Sequence, residues 1–291
     1  MDKWLMHPVA PGDLDRIDEA LRNWESLGGC GGTLQAGDLG WKLRFGRQET
    51  AGSLLEWRSP EGETAVVMCQ DSPTDWWLAM DPAHTRDRTL ADSIADWAIE
   101  VNPGSSFSVD GPGSPAIWRQ ALMKRGFEAM TDVWAHLWKP LSSADVVDVA
   151  GVEVTTGNDQ AIVDRVAVQK AAFENSTFTV EKWHAMAQGL SFRPGFDLLA
   201  RNEAGEAVAA ITVWLPGEGK CGMIEPMGTH PDHRRLGHGR RVIRAACAAL
   251  ARAGASGVCV VTAESNAGAV EVYRAAGLRR LGQLSAMVRL V

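Results

Sequence analysis

Hydrophobic positions along the chain follow two repeats, about 3.6 residues and 2 residues, and the switches between them mark out its elements. Residues 4–10 read as a short strand, and residues 12–27 carry Leu14, Ile17, Ala20, Leu21 and Trp24 at helical intervals. Residues 30–40 turn glycine-rich and loop-like. Strand-like runs follow at 41–45, 53–58 and 64–69, the last two joined across Ser59, Pro60, Glu61 and Gly62, a hairpin turn signal. Residues 75–80 predict a further strand, 89–100 a helix, 105–110 a strand, 115–124 a helix, and 131–139 a strand that closes the series. Residues 139–150 have the look of a linker.

From Gly151 the same order begins again, and a repeat of that length sets the architecture. Residues 152–156 predict a strand, and Asn158 is placed to cap a helix running to Ala172. Thr179 caps a second helix, which holds Trp183 and His184. Residues 196–202 and 206–214 form a hairpin across Glu203, Ala204 and Gly205. A strand into Glu225, a glycine turn, a helix to Ala253, a strand at 257–262, a helix at 266–275 and a strand at 281–290 complete the half. Local sequence repeats as well: residues 54–66 mirror 198–208, and residues 124–127 mirror 275–278. The expectation is an α/β (α+β) protein of two tandem domains, 1–140 and 151–291, each a mixed, mainly antiparallel twisted sheet flanked by helices.

Composition narrows the class. At 291 residues, with 45% hydrophobic and 22% charged residues, the chain is expected to be globular. Its N-terminus has no sustained apolar region and no apolar run approaches membrane-spanning length, so the expectation is a cytoplasmic protein without a membrane partner. Cys30, Cys69, Cys221, Cys247 and Cys259 are scattered and odd in number, which argues against a disulfide framework and a structural metal site. A formal charge of -7 disfavours nucleic acid as a partner.

Against that acidic background, one stretch is strongly basic. His233, Arg234, Arg235, His238, Arg240, Arg241 and Arg244 crowd a strand-to-helix turn in which Gly237 and Gly239 flank one residue. Glycine lets backbone N–H groups turn into one concavity, and a helix N-terminus adds partial positive charge, so the turn suits a phosphate. The same residues also fit a plain tight connection with a solvated arginine face. The pattern is neither a P-loop nor the three-glycine dinucleotide fingerprint.

Arg234, Gly237 and Gly239, spaced Arg-x-x-Gly-x-Gly, resemble the acyl-CoA pyrophosphate loop of the GNAT superfamily of N-acetyltransferases. A second stretch, from Asn266 through Ala269 and Tyr273 to Gly277, is similar to that family's Asn-x-x-Ala-x-x-x-Tyr-x-x-x-Gly-Phe, with Leu278 in place of the phenylalanine. The resemblance covers the layout of essentially the whole chain, and the functional motifs of residues 151–291. It implies acetyl-CoA (coenzyme A) as cofactor, held by Met227, Thr229, Arg234, Arg235, Leu236, Gly237, His238, Gly239, Arg240 and Asn266. It also implies transfer of the acetyl group to an amine within a ternary complex.

That chemistry needs an acid and a base. Tyr273 is the only tyrosine beside 12 tryptophans and 7 phenylalanines, and a phenol of pKa ~10 can protonate a departing thiolate. Its alternative role is a buried hydroxyl bonded to backbone. Glu225, which resembles the acidic residue many family members place on this strand, is the expected base for the acceptor ammonium, with His230 and His184 as alternatives. Pro226 marks a bulge or an edge position. Phe178, Trp183 and Trp214 are expected acceptor walls among the aromatics of the second half, although such a stripe also fits a core. Ten of the 12 tryptophans precede residue 140, as core or as the lining of a groove between the repeats.

The first repeat lacks these features. Arg88 and Leu90 fall opposite Gly237 and Gly239, Leu122 opposite Tyr273 and Pro115 opposite Asn266, so this repeat is not expected to bind the cofactor. A small-molecule amine (an antibiotic, amino sugar or metabolite) is the expected acceptor, for a monomer or homodimer. Mycothiol synthases, which acetylate the cysteinyl amine of a sugar conjugate, look similar in tandem layout. A non-catalytic acyl-CoA-binding sensor is the alternative from another class.

Overall fold

The computed structural model describes residues 4–25, 33–101, 104–109 and 116–289. Cys30 and the first part of the predicted glycine-rich loop lie outside these. The first half runs β1 (Leu5–Pro8), α1 (Leu14–Trp24), α2 (Ala36–Lys42), α3 (Arg47–Gly52), β2 (Leu54–Arg58), β3 (Thr64–Gln70) and β4 (Asp75–Met80). It continues through α4 (Arg88–Glu100), β5 (Ser106–Ser108), α5 (Ile117–Met123), β6 (Glu128–Ala129) and β7 (Trp134–Pro140). The second half runs β8 (Val152–Val154), α6 (Asp159–Ala172), α7 (Val180–Ala187), β9 (Asp197–Arg201), β10 (Ala207–Trp214) and β11 (Cys221–Thr229). Then come α8 (His238–Arg252), β12 (Gly257–Ala263), α9 (Ala267–Ala275), β13 (Arg279–Leu284) and β14 (Met287–Val288).

Two seven-stranded mixed sheets result, ordered β1-β2-β3-β4-β5-β14-β6 and β8-β9-β10-β11-β12-β7-β13. The two orders match position for position, including a parallel pair, β4 with β5 and β11 with β12. The sixth position is where the halves trade. β7 sits antiparallel between β12 and β13 of the second sheet, and β14 sits antiparallel between β5 and β6 of the first. The strand expected to close the first sheet therefore closes the second, and the single strand expected over 281–290 divides between both sheets. Alternation of apolar residues predicts a strand but does not name its neighbours, which is why the exchange was not legible.

Residues 41–45 are not a strand. Trp41 and Lys42 end α2, and Leu43–Phe45 form a 3-10 turn. A reciprocal cap starts this helix: the Gln35 N–H donates to Asp38 Oδ2 at 2.7 Å, while the Gln35 side chain accepts from the Asp38 backbone. Gly37 and Gly40 face the second half so closely that a Cβ on either would lie 2.5–2.8 Å from Trp214 atoms. Elsewhere the caps fall where expected, with Asn158, Thr179 and Asn266 each accepting a backbone N–H three residues ahead.

Separate cores lie on the two sheets. Trp57, Met68, Leu90, Phe107 and Trp118 fill one, with Met287 from the far end of the chain inserted among them. Leu137, supplied by the first half, joins Ile211, Val242, Ile243 and Tyr273 in the other. Behind β10 the fully buried Arg165 donates to Asp197 Oδ1 at 3.1 Å and Thr212 Oγ1 at 2.9 Å, with its guanidinium over the Phe178 ring. Asp197 also accepts from Trp183 Nε1 and Thr155 Oγ1, so this buried pair is hydrogen-bonded on all sides. Cys69, Cys221, Cys247 and Cys259 are buried in the interior, outside any disulfide among the described residues.

Candidate active site

Parallel strands β11 and β12 stay paired only from Cys221 opposite Gly257 to Met223 opposite Cys259. Beyond that point the two strands part, β11 staying paired with β10 and β12 with β7, and leave a slot between 224–229 and 260–263. On the other side of β11 the register with β10 shifts between Ile211 and Val213, a bulge at Glu225 and Pro226. Pro226 thus occupies one of the positions its missing N–H allows.

β11 delivers the chain to the glycine turn. Arg235 and Gly237 both have left-handed backbone, with φ of 62° and 84°, and α8 begins at His238. Consecutive amides in such a turn point inward as a concavity suited to an anion. A Cβ on Gly237 would meet open space, so its backbone is accessible to a ligand. Gly239 has a different reason to be glycine, since a Cβ there would lie 3.1 Å from both Thr229 Oγ1 and Val272 Cγ2. It lets α8 settle against β11 and α9.

The basic residues divide into two groups. Arg234 is exposed but tied down, its Nε donating to the Thr229 carbonyl at 3.3 Å and its Nη2 to the Ala172 carbonyl at 3.2 Å, which ties the loop to the end of α6. Arg241 likewise donates to the Arg201 carbonyl. Arg240 and Arg244, with His233, His238 and Arg241 itself, line an open cavity of about 660 Å³ over the turn, flanked by Gly237 and Leu236. Burial, Arg241 and His233 hold the His238 imidazole below its usual range. The turn is therefore a basin of arginines and imidazoles beside exposed amides.

Glu225 faces a second cavity, of about 480 Å³, where the parted strands meet the first half. Burial pushes its carboxyl up to about 7; Arg44 draws it down and Asp71 pushes it up. Its backbone carbonyl accepts from Trp214 Nε1 at 2.7 Å, which fixes this point of the strand. Tyr273 on α9 is 5% exposed within the second core, and burial and the Glu225 carboxylate hold its phenol well above the ordinary range. Tyr273 lines neither cavity, although the Glu225 carboxylate is near enough to act on its phenol.

Other expected residues divide. Met227 is half-buried against the second core, Thr229 ends β11, and Asn266 Oδ1 accepts from the N–H of Ala269 at 3.2 Å, while among the described residues its amide nitrogen makes no hydrogen bond. Phe178, Trp183 and Trp214 do not line the cavity: all three are buried, Phe178 under Arg165 and Trp183 bonded to Asp197. Their apolar spacing reflects a core. His184 is exposed on α7 and edge-on to Trp183, and His230 Nδ1 caps a 3-10 turn by accepting from Asp232, so neither lines the cavity with Glu225.

Sequence reasoning missed the residues that the first half brings. Asp38, Asp71, Asp75 and Trp77 line this cavity, joined by Asp132 and Trp134 at the crossing strands. They are spread over almost a hundred positions and carry no spacing signal. Only the excess of early tryptophans hinted at a groove.

In the first half the equivalent machinery is sealed. The Asp87 carboxylate accepts from the Leu90 N–H at 2.9 Å, placing the chain's own anion at the N-terminus of α4. β4 and β5 part after Trp77 opposite Ser108, but the Thr33 hydroxyl bridges the gap, reaching the Leu78 carbonyl at 2.6 Å and that of Ser108 at 3.1 Å.

Residues 165–278 match a family model described as the acetyltransferase (GNAT) family. No curated protein matches the chain. Among solved structures, an acetyltransferase from the GNAT family of Colwellia psychrerythraea is similar over 100% of both chains, at 11% identity and a TM-score of 0.61. A GCN5-related N-acetyltransferase from Sphaerobacter thermophilus is similar over 98% of this chain and 94% of its own, at 16% identity and a TM-score of 0.57. A tandem GNAT protein from the clavulanic acid biosynthesis pathway is similar over 98% of each chain, at 15% identity and a TM-score of 0.56. At these identities the likeness speaks for the fold, tandem arrangement included.

Proposed function

We propose, from the premise that residues 165–278 form a GNAT acetyltransferase domain, that this chain moves an acetyl group from acetyl-CoA onto the primary amine of a small molecule. Both substrates would be bound together and transfer would be direct. The observation that carries this reading is the junction of three features: an amide-lined cationic turn, a slot between parted strands, and a cavity with a carboxyl poised near 7.

The residues present fit the cofactor. The left-handed turn at Arg235–Gly237 and the open space at Gly237 admit a diphosphate, with Arg240 and Arg244 supplying charge. Beyond β11's last pairing with β12, Met227 and Thr229 border the path that a pantetheine chain would take, with the Asn266 amide at the head of α9. When bound, acetyl-CoA supplies the thioester carbon that is attacked and the sulfur that departs.

This chain's side chains manage the protons. An amine is mostly protonated at neutral pH, and Glu225, half ionised near 7, can accept that proton without help from a histidine. A carboxyl of ordinary pKa would be a much weaker base. Tyr273 is held protonated by its surroundings, which also make it a weaker acid than a free phenol, so its hydroxyl would donate a hydrogen bond to the departing sulfur and release its proton only as thiolate charge develops there. One proton is gained by Glu225 and one is lost by Tyr273, so the site resets by passing a proton between them or through solvent. The first half, residues 1–140, would serve as a wall of the acceptor cleft.

The reading is tested by thiol release with acetyl-CoA and a panel of amines. Release that needs an amine supports it. Thermal stabilisation by acetyl-CoA without release from any amine would make the protein an acyl-CoA-binding module. As a control, Gly237→Asp should abolish stabilisation by coenzyme A, because it strains the turn and sets a carboxylate where phosphate binds, whereas Arg88→Gly in the first half should create no new binding.

A further inference from the structure

The acceptor cavity is charged as well as roomy. Five of its lining residues are carboxylic acids, Asp38, Asp71, Asp75, Asp132 and Glu225, and none is a lysine, arginine or histidine. Two cations stand nearby without lining it. Lys42 approaches Asp71 at 3.7 Å, and Arg44 is held over the Trp41 and Phe45 rings, from where it acts on Glu225. They leave the acids under-compensated.

Among the described residues no hydrogen bond reaches the Glu225 carboxylate. Asp75 is kept in place by the hydroxyls of Ser72 at 2.5 Å and Ser106 at 2.6 Å, and Asp38 by the Gln35 N–H. Burial, with Glu225 and Asp71 beside it, pushes the Asp38 carboxyl upward, and burial with Asp71 nearby does the same to Glu225. Like charges gathered in a partly desolvated cleft raise its free energy, and an entering cation removes that cost. Trp77 and Trp134 add ring faces of the sort that attract ammonium groups.

One ammonium is consumed by the chemistry, since it must be deprotonated to attack. Glu225 suffices for that step, and the chemistry makes no use of the other four, of which Asp38 also caps α2, Asp75 is held by two hydroxyls and Asp71 lies beside Lys42. All four come from residues before 140, outside the segment with the acetyltransferase motifs. We infer that the acceptor carries at least one further ammonium group besides the reacting amine, as in a diamine, a polyamine or a multiply aminated sugar, and that the first half's carboxylates bind it. This rests on the acetyltransferase reading of the same site, and it gives the first half a role in choosing the substrate.

A matched pair isolates the second charge: 1,4-diaminobutane and n-butylamine share a carbon chain and differ by one ammonium. Wild-type protein should favour the diamine in kcat/KM by about tenfold or more, the scale of a charge-assisted hydrogen bond. The preference should shrink as salt is raised. Asp71 and Asp132 are exposed enough to change without unfolding the chain. The double variant Asp71→Asn with Asp132→Asn should cut the preference several-fold, chiefly through KM, with coenzyme A affinity intact.

Calorimetry with spermidine gives a readout independent of turnover. Equal kcat/KM for the two amines, or a preference untouched by the double variant, overturns the inference and leaves the transferase reading standing. Spermidine binding that the double variant loses, without thiol release from any amine, supports the acidic, cation-binding cleft and overturns the transferase reading. Neither binding nor release overturns both.

Discussion

Tyr273 and Glu225 show how far one residue's surroundings set its chemistry. Tyr273→Phe removes a proton donor and leaves the packing of the ring, so turnover should fall by about 10²–10⁴-fold while coenzyme A affinity, read by calorimetry, stays nearly constant. For Glu225, burial favours the protonated form, so kcat/KM should rise with pH and level off above about 7. Glu225→Gln should remove that rise along with most of the rate. The same shift has a stability consequence of known sign. Between the ordinary 4.5 and about 7 the folded protein keeps a proton that the unfolded chain has released, so ionised Glu225 costs stability increasingly as pH climbs. The melting temperature of Glu225→Gln should therefore match wild type near about pH 4 and exceed it most above about pH 7. Tyr273 was legible because it is the chain's one phenol and sits in a spaced motif. The four aspartates of the cleft were not, because α2, β4 and two connecting segments supply them and only the fold brings these together.

At the scale of elements, α2 makes the point that propensity is overruled by context. Trp41, Lys42, Leu43, Arg44 and Phe45 read as a strand from their bulk and alternation, yet the Gln35 and Asp38 cap and a face of two glycines make a helix that seats on Trp214. Gly40→Leu should press α2 off that indole, costing about 1–3 kcal/mol in denaturant unfolding. Because Trp214 donates to the Glu225 carbonyl, the variant should also alter acceptor KM and kcat while coenzyme A affinity holds. The caps at Asn158, Thr179 and Asn266 were readable because capping is a local matter of four residues. The slot between β11 and β12, and the threonine that bridges its counterpart between β4 and β5, depend on contacts across the fold and leave no trace in spacing.

For the whole molecule, the duplication was visible as a repeated order of elements, and the exchange of β7 and β14 was not. Each sheet is complete only with a strand from the other half, which predicts a single cooperative unfolding transition rather than two. A chain ending at Leu284 would lose β14 and with it Met287, which is 1% exposed in the first core. It should be less stable by at least about 2 kcal/mol, measured by denaturant midpoint, with the loss felt in the first half although the deletion lies in the second.

The exchanged strands also bear on how the protein is made. Chains commonly fold from the N-terminus as they leave the ribosome. Here the first sheet has a vacancy between β5 and β6 that only residues 287–288 fill. Meanwhile β7 has no sheet to join until β12 has been synthesised. The earliest half of this protein to be translated is thus among the last parts to be finished, and during synthesis it must wait with an open edge.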